Sequence, residues 1–179
     1  MELRAFSEDI IERARSLDSK AVAAVFEYYY PKIYRYFYYR CESKEEAEDL
    51  ASEVFVKVVK AIKHQSGNFE AWLYTIAKNT LTDYYRRKVV RKENSVDEEI
   101  LEAMPDEKAV NAPLDQEELK ATIGKLTEEQ QQVITLRFIE GYDTAKIAEI
   151  MKKNVGAIKA LQFRALVSLK GIFKEGQIS

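Results

Sequence analysis

The sequence is poor in the residues that most chemistry needs. It holds one cysteine, Cys41, and one histidine, His64, among 179 residues. A single cysteine excludes an internal disulfide and any zinc site built on several thiolates, and a single histidine removes most metal and triad chemistry. Six glycines and three prolines leave little material for tight turns, and no Gly-rich phosphate loop or cofactor fingerprint appears. No apolar run approaches the roughly 18–20 residues that cross a bilayer. The N-terminus, Met1 to Asp9, mixes Glu, Arg and Asp early, which argues against a signal peptide. His64 lies near Gly67 in an expected loop, with no nucleophile–base arrangement around it. These absences point away from an enzyme, a metal or cofactor protein and a membrane protein, and towards a chain of the reducing cytoplasm.

The net charge of −2 reads at first against nucleic-acid binding. Its distribution reverses that reading. Residues 121–179 hold nine Lys/Arg against six Asp/Glu, whereas residues 92–120 hold three against ten. The acidity sits in the middle and the flanks are mildly basic, a pattern that the average hides.

What is present is helical periodicity, with almost no strand-like alternation. Helix starts recur: Ser43 with Glu46, and Thr127 with Gln130, read as capping boxes. Asn68, Asp143 and Asn154 are further N-caps. The spacing predicts helices over about 2–16, 19–40, 44–63 and 69–88, with a second set over 115–124, 128–140, 144–151 and 155–173. Between the sets, Met104-Pro105-Asp106 and Ala112-Pro113 punctuate a Glu-rich stretch of linker composition. The expected fold is all-α, with two small helical domains at 1–91 and 115–179 joined by an acidic flexible linker at 92–114.

In the front domain, Leu50, Val54, Val58 and Ala61 form an apolar stripe that Phe55, Val59 and Ile62 widen. Asp49, Ser52 and Glu53 fall on another face, either as a solvated surface or as a docking patch for a basic partner. The tyrosine-rich run Tyr28–Tyr39 holds seven of the eleven tyrosines and reads as scaffold, with Pro31 in the first turn of a new helix. In the next helix, Trp72, Leu73, Ile76, Ala77, Leu81 and Tyr84 take core spacing. Tyr74, Lys78, Asn79, Thr82, Tyr85, Arg86, Arg87 and Lys88 are left towards solvent. Cations, flat rings and amides together suit single-stranded nucleic acid. A basic helix end also suits the helix dipole, and spacing alone does not choose between the two.

The back domain carries the most specific local signal. A short helix ending at Met151, the turn Lys152-Lys153-Asn154 and a longer helix with Val155, Ile158, Leu161, Ala165, Leu166 and Leu169 at core spacing read as a helix-turn-helix, or as an αα-hairpin that merely packs. Charge favours DNA. No acidic residue lies between Met151 and Phe173, while Lys152, Lys153, Lys159, Arg164 and Lys170 are basic. Gly156 and Ala157 are small enough to let the backbone approach a duplex, and Lys159 and Arg164 fall opposite much of the apolar stripe. Phe163 either packs on DNA or finishes the core.

Three stretches together resemble the extracytoplasmic-function group of bacterial RNA polymerase sigma factors: Ala47–Phe55, Phe69–Asn79 with Asp83 and Arg86-Arg87, and Gly156–Ala165. The resemblance runs over nearly the whole chain and implies a region 2 helical bundle followed by a region 4 helix-turn-helix. It further implies that Asp49, Ser52 and Glu53 dock on the clamp helices of the largest polymerase subunit, with the flap of the second-largest subunit as a further contact. It places Tyr74, Lys78, Asn79, Arg86 and Arg87 at the melted −10 element, and Asn154, Ala157, Lys159, Phe163 and Arg164 at the duplex −35 element. The acidic tether then resembles the segment that threads polymerase channels otherwise filled by nucleic acid. Members of the group are commonly held inactive by an anti-sigma factor, of which these residues themselves give no sign. Ser52 departs from the Gln of many relatives, Thr75 from a frequent Arg, and Leu161 lacks the polarity of a base reader. A free-standing helix-turn-helix regulator would explain 127–173 but leave the Asp49 patch and the Tyr74–Lys88 surface without a role.

Overall fold

A computed structural model describes residues 6–94 and 116–178, and every described element is a helix. The expected acidic tether falls almost wholly on 95–115, outside the described residues.

The front domain runs α1 (Glu8–Arg15), α2 (Ser19–Tyr38), α3 (Lys44–Ala61), a 3₁₀ turn (Ile62–His64) and α4 (Phe69–Asn94). Asp18 starts α2 by accepting hydrogen bonds from the amides of Lys20 and Ala21 at 3.0 and 3.3 Å. Pro31 lies inside an unbroken α2 and does not open a new helix. Its ring is exposed, and the buried stripe Tyr29, Ile33, Tyr36 and Phe37 holds the helix across the missing amide bond. Of the tyrosine-rich run, Tyr29, Tyr36, Tyr38 and Tyr39 are buried, as a scaffold requires. Ser43 caps α3 by accepting from the Glu46 amide at 3.1 Å. The reciprocal bond is displaced: Glu46 accepts from the backbone of Glu42 at 3.2 Å and from the Tyr84 hydroxyl at 2.6 Å. A carboxylate drawn to a strong hydroxyl donor on α4 ties the start of one helix to the flank of another.

The back domain runs α5 (Gln116–Gly124), α6 (Glu128–Ile134), α7 (Thr144–Met151) and α8 (Val155–Ile178). The Thr127–Gln130 capping box forms in both directions. The helix expected over 128–140 is continuous only to Ile134 and then widens into a π turn over Thr135–Ile139. Its amide bonds step back five residues, with Glu140 N donating to Thr135 O at 3.0 Å. The extra residue in the turn shifts the faces. Phe138 points to solvent, and Glu140 is buried. Ile147, Ile150, Ile158, Leu161 and Ala165 close the core against Val133, Ile134 and Leu136.

Each remaining expected cap is present. Asn68, Asp143 and Asn154 accept from the amides of Ala71, Lys146 and Ala157 at 2.9, 2.8 and 2.7 Å. Asn154 begins the helix on which the DNA reading depends, so Asn154→Ala is expected to destabilise the back domain by about 1 kcal/mol. Urea unfolding followed by circular dichroism measures that loss. A midpoint unchanged from wild type would show the cap to be idle.

Candidate nucleic-acid and polymerase interfaces

On α3, Asp49 and Ser52 are exposed and Glu53 is half-buried, so the three share an accessible face. Glu53 is already engaged, by Lys57 at 3.2 Å and by Arg87 of α4 at 3.8 Å. The same face continues into Val56 and Val59, both more than half exposed. Val59 was expected to widen the core stripe. Instead it borders a groove of about 520 Å³ between α2 and α3, lined by Leu17, Val22, Phe26, Phe55 and Ile62 among others. Helical spacing puts residues on one face but does not say where the covering helix ends, so this groove was invisible in the sequence.

On α4, Lys78, Asn79, Arg86 and Arg87 face solvent as expected. The helix runs to Asn94, beyond the expected 88, and adds Val89, Val90 and Arg91 to its exposed end. Tyr74 departs from this pattern. It was expected to face solvent, and it is buried at 1% exposure, with its ring against Tyr36 on one side and Tyr142 of the back domain on the other. Burial holds its hydroxyl well above the usual phenol range. Lys88 is also drawn in, pairing with Glu42 at 2.8 Å and with Glu46 at 3.7 Å while lying over the Tyr84 ring. Tyr85 donates to the Arg40 carbonyl at 3.0 Å and is half-buried. Trp72 is only half-buried, lying beside Phe69. The expected patch therefore contracts to four exposed side chains, Lys78, Asn79, Arg86 and Arg87, the last of which reaches round α4 to Glu53.

In the back domain, α7, the turn and α8 make the helix-turn-helix. Lys152 takes the left-handed conformation (φ 56°) that lets the chain reverse after α7, and Lys153 N donates to Ala148 O at 3.1 Å. On α8, Lys159, Phe163 and Arg164 are exposed, Phe163 by 70%, so that ring does not finish the core. Lys159 and Arg164 have no salt bridge among the described residues. Ala157 is half-buried, and the Asn154 side chain is occupied as the helix cap. Leu161 is core, 4% exposed, which accounts for its lack of polarity. Leu166, expected in the core, is exposed along with Val167 and Phe173. Packing does not demand glycine at 156, where a Cβ would make an ordinary 3.4 Å contact. Among the described residues no cluster of His, Cys, Asp and Glu is placed to hold a metal ion, and no helix is long and apolar enough to cross a membrane.

Comparison with known proteins gives this geometry a family. The family model for sigma-70 region 2 matches residues 25–90 and that for sigma-70 region 4 matches residues 116–169. The chain is 30% identical over 156 residues to the RNA polymerase sigma factor YlaC of Bacillus subtilis, covering 84% of this chain and 90% of that one. The chain belongs to the extracytoplasmic-function sigma factors. It is also 35% identical over 168 residues to the sigma factor BldN of Streptomyces coelicolor, covering 90% of this chain and 63% of that longer relative. The fold matches a solved structure of CnrH in complex with the cytosolic domain of CnrY, with a TM-score of 0.71 at 20% identity over 93% of this chain and 96% of that one. Sigma factors are initiation factors that direct RNA polymerase to promoters and are not enzymes, so the free-standing regulator is not favoured.

Proposed function

We propose that the chain binds core RNA polymerase through Asp49, Ser52 and Glu53 and reads promoter DNA at two separate places. Lys78, Asn79, Arg86 and Arg87 face the melted −10 strand, and Lys159, Phe163 and Arg164 enter the major groove at the −35 element. Ala157 lies at the groove end of α8, and Asn154 acts by fixing the start of that helix. Tyr74 joins the −10 set only in an arrangement that uncovers it. The exposed valines beside Asp49 extend the acidic patch into a mixed surface, which suits a partner that is basic at its rim and apolar at its centre.

One observation carries this reading. A single chain presents two exposed cationic surfaces on two domains, with an acidic face on the first. A duplex reader alone needs only the second. Cations position phosphates, and an exposed amide such as Asn79 supplies a donor and an acceptor to an unstacked base. We further propose the clamp helices and flap of polymerase as the contacted parts, an anti-sigma factor as an additional partner, and the cytoplasm as the site of action. Run-off transcription tests the reading: core polymerase with this protein should start at discrete positions on genomic fragments where core alone does not. Start sites identical with and without the protein would reject it.

A further inference from the structure

The two domains meet through a polar seam centred on Arg35, Lys32 and Glu140, which the proposed DNA and polymerase contacts do not use. Glu140, at the end of the π turn, has a side chain only 2% exposed. Arg35 of α2 grips it with both arms of the guanidinium, Nε donating to Oε1 at 2.6 Å and Nη2 to Oε2 at 2.9 Å. Lys32, one turn earlier, lies 3.8 Å from the same carboxylate and sits over the Tyr142 ring at 4.7 Å. Around this centre the Tyr74 hydroxyl donates to that of Tyr142 at 3.4 Å and Asn68 donates to Glu149 at 2.7 Å. Lys146 approaches Glu70 at 3.9 Å.

Two physical features bear on what such a seam does. Its centre is charge set against charge, bordered by the packed rings of Tyr74 and Tyr142. A buried ion pair roughly offsets its own desolvation, so it fixes an arrangement without making it permanent. Polar seams between domains of one chain behave like transient interfaces. The seam also lies over surfaces with other uses. It presses α7, the first helix of the helix-turn-helix, against α4, and in this motif the first helix crosses the duplex backbone. It also hides Tyr74.

We propose that Arg35 and Lys32 on the front domain and Glu140 on the back domain form a latch that holds the free protein closed and keeps its helix-turn-helix from seating on duplex DNA. The inference rests on the reading of the back domain as a duplex reader. Its logic is thermodynamic: any partner that engages only the separated domains must first break the seam, and breaking it beforehand raises affinity for that partner by the same factor.

The test uses the full chain and two variants, Glu140→Gln and Arg35→Ala. They alter different domains, so a local folding defect from one cannot mimic the other, and circular dichroism checks that helicity is kept. Small-angle X-ray scattering should show a larger radius of gyration in both variants. Binding to a fluorescent duplex of random sequence at low salt should tighten by roughly five- to tenfold in both. Unchanged dimensions in both variants would overturn the latch. Larger dimensions with unchanged duplex affinity would overturn its inhibitory role. Run-off transcription with core polymerase separates the two proposals. If the function is misread, wild type and variants alike fail to direct initiation, while the scattering still decides the latch.

Discussion

Reversing the charge of the α3 face with Asp49→Lys and Glu53→Lys is expected to weaken binding to core polymerase by roughly a hundredfold, because a charge pair desolvated at an interface is worth about 2–5 kcal/mol when broken. Asp49 has no salt bridge among the described residues, and the two pairs made by Glu53 are partly exposed. Exposed pairs contribute about 0–1 kcal/mol to folding, so the variant should melt close to wild type. The loss would therefore lie in the partner contact and not in the fold. Glu53→Lys also releases Arg87, so melted-strand binding by the isolated chain should not fall. Competition against wild type for limiting core polymerase gives the number. Equal competition would show that polymerase docks elsewhere.

The second large effect concerns α8. Lys159→Ala and Arg164→Ala are each expected to weaken recognition of the −35 duplex by roughly 1–3 kcal/mol, and together by about a hundredfold. Neither side chain packs in the core, where Ile158, Leu161 and Ala165 do that work, and alanine is the best helix former. Stability should hold while affinity falls. The two losses differ in kind. A side chain on a base edge relaxes sequence preference at one position, whereas one on phosphate weakens all sequences alike and lowers the salt dependence by about one counterion. Binding of holoenzyme to a panel of single-base promoter variants at two salt concentrations separates these. An unchanged preference in both variants would move the recognition surface off α8.

The parts of this molecule that were legible in the sequence are those fixed by near neighbours. The caps at Ser43, Asn68, Thr127, Asp143 and Asn154 need only residues two or three positions on, and every one forms. The helix-turn-helix was readable for the same reason, and so was the exposure of Lys159 and Arg164 opposite an apolar stripe. The resemblance, resting on three ordered stretches, gave the family. What escaped depends on contacts made over long separations. Tyr74 and Tyr142 are 68 positions apart, and Arg35 and Glu140 are 105 apart. Periodicity within α4 places Tyr74 off the front domain's core face and carries no information about a second domain covering it.

A different blindness affected Val59, Leu166 and Val155. All three sit at apolar positions, and all three are exposed. Spacing assigns a residue to a face, whereas burial requires that another element lie over it. After Ile134 the helix widens into a π turn that Thr135 helps to hold by donating to Gln131 O at 2.7 Å. Pro31 shows the converse. A residue that normally ends a helix was carried through one because the aromatic residues on either side are buried in a common core.

The central claim is that this protein reads a promoter at both ends only when polymerase holds it. The most direct measurement is footprinting of one promoter fragment with the protein alone, with core polymerase alone and with both. With both present, the upstream duplex element should be protected, and thymines of the downstream element should become reactive to permanganate as the strands part. The protein alone should give little protection and no melting. Strong, sequence-specific protection by the protein alone, unaltered when core polymerase is added, would contradict the account.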